Sequence, residues 1–206
     1  MIRPALRLHP AREPAAPRPA ATVLRVRDGT GGLQVLMTCR LAHARFAPGA
    51  YVFPGGIVEP QDRTDARAGC LNASDADETT RAARLAALRE TFEEVGVLLA
   101  RDANGRWADE ARLAPLQCHT PLLPQCAAQD ELHGPARWIT DRDLPRRFDV
   151  AFFVAVMPPH QTPRSDDREQ FELVWISPAD ALQRHARGEL PMVFPTVRTL
   201  QRLSAY

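Results

Sequence analysis

The chain has 206 residues, 45% hydrophobic and 25% charged, the make-up of one folded domain with a real core. A net charge of +1 excludes a broad electrostatic grip on nucleic acid, and no apolar run approaches the roughly 20 residues of a membrane span. The 26 residues counted as Lys or Arg are all Arg, so a lone arginine says little about function.

Residues 1–20 hold Pro4, Pro10, Pro14, Pro17 and Pro19 with Arg3, Arg7, Arg12 and Arg18, and no apolar h-region. They predict a flexible arm, with residues 21–206 as the folded domain. The segment reads as an arm rather than a secretory signal, although its acid-poor composition, with Glu13 the only acid, is shared by organelle transit peptides. Cys39, Cys70, Cys118 and Cys126 make no Cys-x2-Cys pair and suit reduced thiols, consistent with a cytoplasmic protein.

Thr22–Arg27 and Leu33–Thr38 read as strands, and the glycines of residues 28–32 between them predict a hairpin. Tyr51–Val58 reads as a third strand carrying Phe53-Pro54-Gly55-Gly56. Residues 63–78 are polar and include Gly69, Asn72 and Ser74, the composition of a surface loop.

Leu85, Leu88, Phe92, Val95 and Leu99 then recur at alternating steps of three and four, which places them on the core side of a helix. Glu90, Glu93 and Glu94 cluster near the opposite side, while Ala82, Ala83, Ala86 and Ala87 are expected to keep the neighbouring surface low. The acids should therefore project from a shallow, accessible surface. Glu90 and Glu94 form an i, i+4 like-charge pair that costs a few tenths of a kcal/mol, which a bound cation would reverse. The plain alternative is an amphipathic helix whose acids face solvent, with Arg89 offsetting their repulsion. The upstream Gly55-Gly56 favours the metal reading, because glycine admits close approach and leaves carbonyls free for a hard cation.

Residues 108–133 suggest short helical pieces broken by Pro115, Pro121 and Pro124. Cys118, His119, Cys126 and His133 offer zinc donors, but their spacing matches no common zinc pattern and a linker with buried thiols is plainer. Asp149–Met157 and Phe171–Ser177 read as buried strands. Pro178 opens a helix to about Gly188, and Pro195 opens another. The loop at 160–172 offers Asp166, Asp167, Glu169 and Glu172, either solvated acids or candidates for a general base alongside Glu93. This order of elements predicts an α/β sandwich with helices on both sides of a mixed sheet.

Gly56, Arg89, Glu90, Glu93, Glu94, Gly96 and Val97 resemble the signature of the Nudix hydrolases, G-x5-E-x7-R-E-U-x-E-E-x-G-U, with U a bulky apolar residue. Asp62 stands at the first acidic position and Thr91 at an apolar one. Between Asp62 and Arg89 lie 26 residues, 19 more than the motif has. The resemblance implies a Nudix-type α/β/α sandwich with a catalytic loop-helix-loop. It implies Mg²⁺ or Mn²⁺ held by Glu90, Glu93, Glu94, Asp62 and the Gly56 carbonyl, with Arg89 orienting a glutamate. The base would be Glu93, or Glu169 or Glu172 from the later loop.

Just upstream, Leu36–Gly56 is similar to the L-L-T-x-R-[SA]-x3-R-x3-G-x3-F-P-G-G run of Nudix enzymes that act on coenzyme A, departing at Met37 and Leu41. This implies coenzyme A recognition around Arg40, Arg45, Gly49 and Phe53, since guanidinium forks bind phosphate oxygens bidentately. A strand end and a loop arginine in solvent are the plain readings of Arg40 and Arg45. The long insertion, together with Trp138-Ile139-Thr140, Pro145-Arg146-Arg147-Phe148-Asp149 and Phe152-Phe153, looks like the subfamily that contains the mammalian peroxisomal acyl-CoA diphosphatase. The implied reaction cuts the pyrophosphate of CoA or acyl-CoA into 3′,5′-ADP and (acyl-)4′-phosphopantetheine. Other nucleoside diphosphate derivatives, such as ADP-ribose or dinucleotides, remain open as substrates. A non-catalytic nucleotide sensor is the alternative from another class, although such modules usually lose box glutamates and all three are here. The expected partner is a small molecule, not a nucleic acid or a membrane.

Overall fold

A computed structural model describes residues 13–44, 47–67, 77–101, 104–109, 128–165 and 170–205. Strands β1 (Arg18–Gly29) and β2 (Gly32–Arg40) form the expected hairpin, with Gly29 opposite Gly32 across a two-residue turn. Gly32 takes φ 107°, a conformation side chains resist. β1 begins inside the expected arm: Arg18, Pro19 and Ala20 already pair with Phe148, Asp149 and Val150. The ordered sheet therefore starts before residue 21.

The expected third strand is two short ones, β3 (Tyr51–Val52) and β4 (Gly55–Ile57). After them come α1 (Pro60–Arg67) and α2 (Glu78–Val95), then a 3-10 turn at Gln129–Glu131. Strands β5 (His133–Ile139), β6 (Phe148–Val156) and β7 (Gln170–Ile176) follow, with α3 (Pro178–Ala186) and α4 (Phe194–Leu203) last. The surface loop expected over 63–78 is thus helical at both ends; residues 68–76 lie outside the described part. So do residues 110–127, where most of the short helical pieces were expected.

Among the described residues seven strands share one mixed sheet, in which β1 and β6 run parallel and the other pairings are antiparallel. β1 and β2 pair only between residues 26–29 and 32–35. Beyond that point the freed edge of β1 takes β4, with Ala21 opposite Gly56, and that of β2 takes β3, with Thr38 opposite Val52. The segment from Tyr51 to Ile57 therefore fills the fork between the first two strands.

Alternation along β1 sends Ala21 and Val23 to one face, where they pack with α2 and with Phe153 and Ala155 of β6. Leu24 goes to the other face, joining Val35, Met37, Phe152 and Ile176 under Ala181 of α3 and Leu200 of α4. The result is the three-layer α/β/α arrangement, each fully buried leucine contributing about 2 kcal/mol. No helix among the described residues is long and apolar enough to cross a membrane.

α2 starts at Asp77, whose side chain accepts the Thr80 N–H at 2.7 Å, and ends at left-handed Gly96 (φ 65°). Its buried stripe is broader than expected. Leu85, Leu88 and Val95 are buried, but so are Ala82, Ala83, Ala86 and Ala87, while Phe92 packs at the margin against Leu98 and Ala100. The alanines let the helix sit close to the sheet, so they are core and not the floor of an open surface.

One residue on this face breaks the pattern. Arg25 is fully buried, and its three guanidinium nitrogens have no hydrogen-bond partner among the described residues. Desolvation lowers its pKa to about 9.

Candidate active site

The glycine loop is held by β1. The Thr22 hydroxyl donates to the Pro54 carbonyl at 2.6 Å, and the Val23 N–H donates to the same oxygen at 3.0 Å. A Cβ on Gly55 would collide with the Ala21 carbonyl and Thr22, so only glycine permits this approach. The Gly55 N–H in turn donates to Glu94 Oε2 at 2.9 Å. A Cβ on Gly56 would fall on the Glu90 carboxyl. The two glycines thus seat the two glutamates that share one side of α2.

Arg89 connects the parts. Its Nε and Nη2 donate to the two oxygens of Asp62 at 3.1 and 3.0 Å, and Nη2 also reaches the Ile57 carbonyl at 3.0 Å. Its Nη1 donates to Glu90 at 2.9 Å and to Glu93 at 3.0 Å. Burial alone would lower the Arg89 pKa, but Asp62, Glu90 and Glu93 outweigh it and hold the group charged above its ordinary value. The second Asp62 oxygen also accepts the Glu59 N–H at 2.8 Å. Asp62, expected among the metal ligands, is thus also the anchor of Arg89.

The acids are not equally exposed, contrary to the expectation of an open acidic surface. The Glu93 side chain is 56% accessible and that of Glu90 14%, while Glu94 is buried at 4%. The broad alanine face explains the difference, because it rotates Glu94 toward the sheet. Among the described residues no three carboxylate, thiol or imidazole groups converge as a ready-made metal cluster. The donor chemistry nevertheless fits a hard divalent ion: three carboxylates surround one guanidinium and a fourth, Glu94, is held by the Gly55 N–H, beside a backbone that glycine keeps bare.

The upstream residues divide. Alternation carries Thr38 to the face of Leu36, which packs under Val95 and Val97 at the end of α2, while the pairing of β2 with β7 shifts register between Cys39 and Arg40 at the strand end. Gly49, at φ 69°, closes the following loop by donating its N–H to the Arg40 carbonyl at 3.1 Å. Phe53 is 4% exposed in the opposite core layer, edge-on to Phe152 at 6.5 Å. Arg45 lies outside the described residues.

Glu172 is also on the other side. It shares a face with Val174 and Ile176, and accepts the Tyr51 hydroxyl at 2.7 Å. Burial, then the bond to Glu172 and its charge, raise the Tyr51 pKa. The structure therefore gives this carboxylate the Tyr51 hydroxyl as partner and does not bring it together with the α2 glutamates. Asp166, Asp167 and Glu169 lie outside the described residues, as do Cys118, His119 and Cys126; His133 sits in β5. Sequence reading did not find Thr22, Gly55 N–H, the Ile57 carbonyl or Tyr51, since each acts through a partner more than thirty residues away.

A family model described as NUDIX domain matches residues 16–194. The acyl-coenzyme A diphosphatase NUDT19 of Homo sapiens is 27% identical over 235 residues, covering 85% of this chain and 61% of that protein. The Gallus gallus protein of the same name is 26% identical over 232 residues, covering 82% of this chain and 61% of its own length. The chain spans 56–61% of the length of the curated relatives it matches. A NUDIX hydrolase from Alicyclobacillus acidocaldarius, solved by crystallography, superposes with a TM-score of 0.78 at 34% identity, covering 93% of this chain and 92% of that one.

Proposed function

The chain belongs to the Nudix hydrolase family, and from that premise we propose that it hydrolyses a pyrophosphate linkage using Mg²⁺ or Mn²⁺ held by Glu90, Glu93 and Glu94, with the Gly56 carbonyl beside them. The observation that carries this reading is the seating of Glu90 and Glu94 against Gly56 and Gly55. A divalent ion there would neutralise diphosphate oxygens and lower the pKa of a bound water.

The chain's own groups do the rest. Arg89, clamped by Asp62, keeps Glu90 and Glu93 from recoiling from one another. The Gly55 N–H fixes the buried Glu94 carboxylate. Glu93, the most accessible of the three, is placed to accept the proton of the attacking water. Arg40, at the end of β2, would receive a phosphate of the substrate.

The substrate we favour is CoA or acyl-CoA. Support comes from the run Leu36–Gly56 and from relatives named acyl-coenzyme A diphosphatase. Pure protein is to be incubated with CoA, acetyl-CoA, ADP-ribose, NADH and diadenosine polyphosphates under Mg²⁺ or Mn²⁺. The expected products from CoA are 3′,5′-ADP and 4′-phosphopantetheine. Turnover of the other compounds alone overturns the specificity, and turnover of none overturns the activity.

A further inference from the structure

An open depression of about 360 Å³ lies at the end of the sheet, lined by Ala15, Ala16, Arg18, Pro145, Arg147 and Phe148, with Arg146 completing it. Three arginines and no carboxylate form its wall. Arg147 is fixed there: its Nη1 donates to the Ala15 carbonyl at 2.9 Å and its Nε to the Thr140 carbonyl at 3.2 Å. Arg18 and Arg146 are exposed and have no acidic partner among the described residues. Two acids of the β5–β6 segment have partners of their own. Asp149 takes both nitrogens of Arg137 at 2.6 and 2.5 Å, and Asp141 accepts the Asp143 N–H within the β5–β6 turn.

The register places this cavity away from the carboxylates. Arg18 is opposite Phe148, and alternation from Leu24 and Phe152 puts both on the layer of α3 and α4, whereas Glu90 and Glu94 lie on the α2 layer. Along β1, Arg18 is three residues from Ala21, the partner of Gly56, about 10 Å of strand. A ligand bound here is therefore not the diphosphate held at α2.

We propose that this cavity is a second ligand site, which takes a phosphate monoester carried on a small organic body. The guanidinium groups match a dianionic phosphate better than a single carboxylate, since several forks can share its three oxygens. The depression is open to solvent on one side, and Ala15, Ala16, Pro145 and Phe148 supply an apolar wall for the organic part. The run Pro145-Arg146-Arg147-Phe148, which the diphosphate chemistry does not use, thereby gains a role. This site stands independently of the proposed substrate.

The test is calorimetric titration of the full chain, with chelator present so that metal-dependent binding is silent. The probes are AMP, inorganic phosphate and adenosine. AMP is expected to bind saturably at millimolar concentration or below, more tightly than phosphate, with adenosine not binding. Arg18→Ser/Arg146→Ser should weaken AMP by about tenfold or more, each charge-assisted contact being worth at least that, while CoA hydrolysis in Mg²⁺ stays unchanged. No binding of AMP or phosphate overturns the site, as does equal binding by the double variant. Equal affinity for phosphate and AMP overturns the role of the apolar wall. Loss of AMP binding in Glu94→Gln, with the arginines intact, would place the ligand at α2 and overturn the proposal.

Discussion

Asp62 and Arg89, separated by 26 residues of sequence, meet in a two-pronged ion pair with N–O distances of 3.1 and 3.0 Å. Their side chains are 5% and 18% accessible, so the pair is largely withdrawn from water. Removing one partner leaves a buried charge. Asp62→Ala should cost about 3 kcal/mol in urea unfolding and also lower turnover, because Arg89 then releases Glu90 and Glu93. A double-mutant cycle with Arg89→Ala measures the coupling; additive losses would deny the link.

The two glutamates once grouped as possible bases now separate. Glu93→Gln should lower kcat by about 10²-fold or more with the unfolding midpoint unchanged, since its side chain is mostly exposed. Glu172→Gln should keep turnover near wild type, as its carboxylate faces Tyr51 on the other layer. Steady-state kinetics on both variants checks the assignment, and the reverse order would refute it.

Adjacent glycines give different defects. Gly55→Ala drives a methyl group into the β1 backbone, which cannot yield, and should destabilise the fold by more than about 1 kcal/mol. Gly56→Ala meets a side chain instead and should displace Glu90, lowering activity and metal affinity more than stability. Thermal melts together with Mn²⁺ titration distinguish the two.

Arg25→Met should stabilise the protein by about 1–4 kcal/mol at neutral pH, because a buried charge without a partner is replaced by an apolar side chain of similar length. The sign with pH follows from linkage. Burial depresses the folded-state pKa to about 9 from 12.5, so above pH 9 the unfolded chain retains a proton that the folded one sheds. The Arg25 penalty is full below pH 9 and shrinks as pH rises, so the advantage of Met should narrow there. Denaturant titrations of both proteins at pH 7 and pH 10 measure it; a constant difference would contradict the burial.

The helix and its acids were readable because 3.6-residue periodicity marks any amphipathic segment, and the glycine pair because few residues tolerate its surroundings. The width of the buried face was not. Alanine is compatible with both core and surface, and only the close seat on Ala21 and Val23 decides. Asp62 shows a similar limit: carboxylate chemistry permits a metal or an arginine, and the choice depends on a guanidinium that the insertion brings back from afar. Alternation in β7 would have placed Glu172 with Val174 and Ile176, had the layer facing α2 been known. α1 and β5 escaped because the polar sequence of the first and the Gly134-Pro135 pair of the second resemble loops.

The parallel pairing of β1 with β6 joins Arg18–Val26 to Phe148–Val156, nine residues against nine. During synthesis, β1 leaves the ribosome long before its neighbour exists, so it must wait with one edge open while some 120 residues are added. Fragments ending before β6 should therefore expose the pairing edge of β1 and aggregate, whereas the complete sheet conceals it. The step that commits this chain to its fold comes late in translation, well after the residues for chemistry have been made.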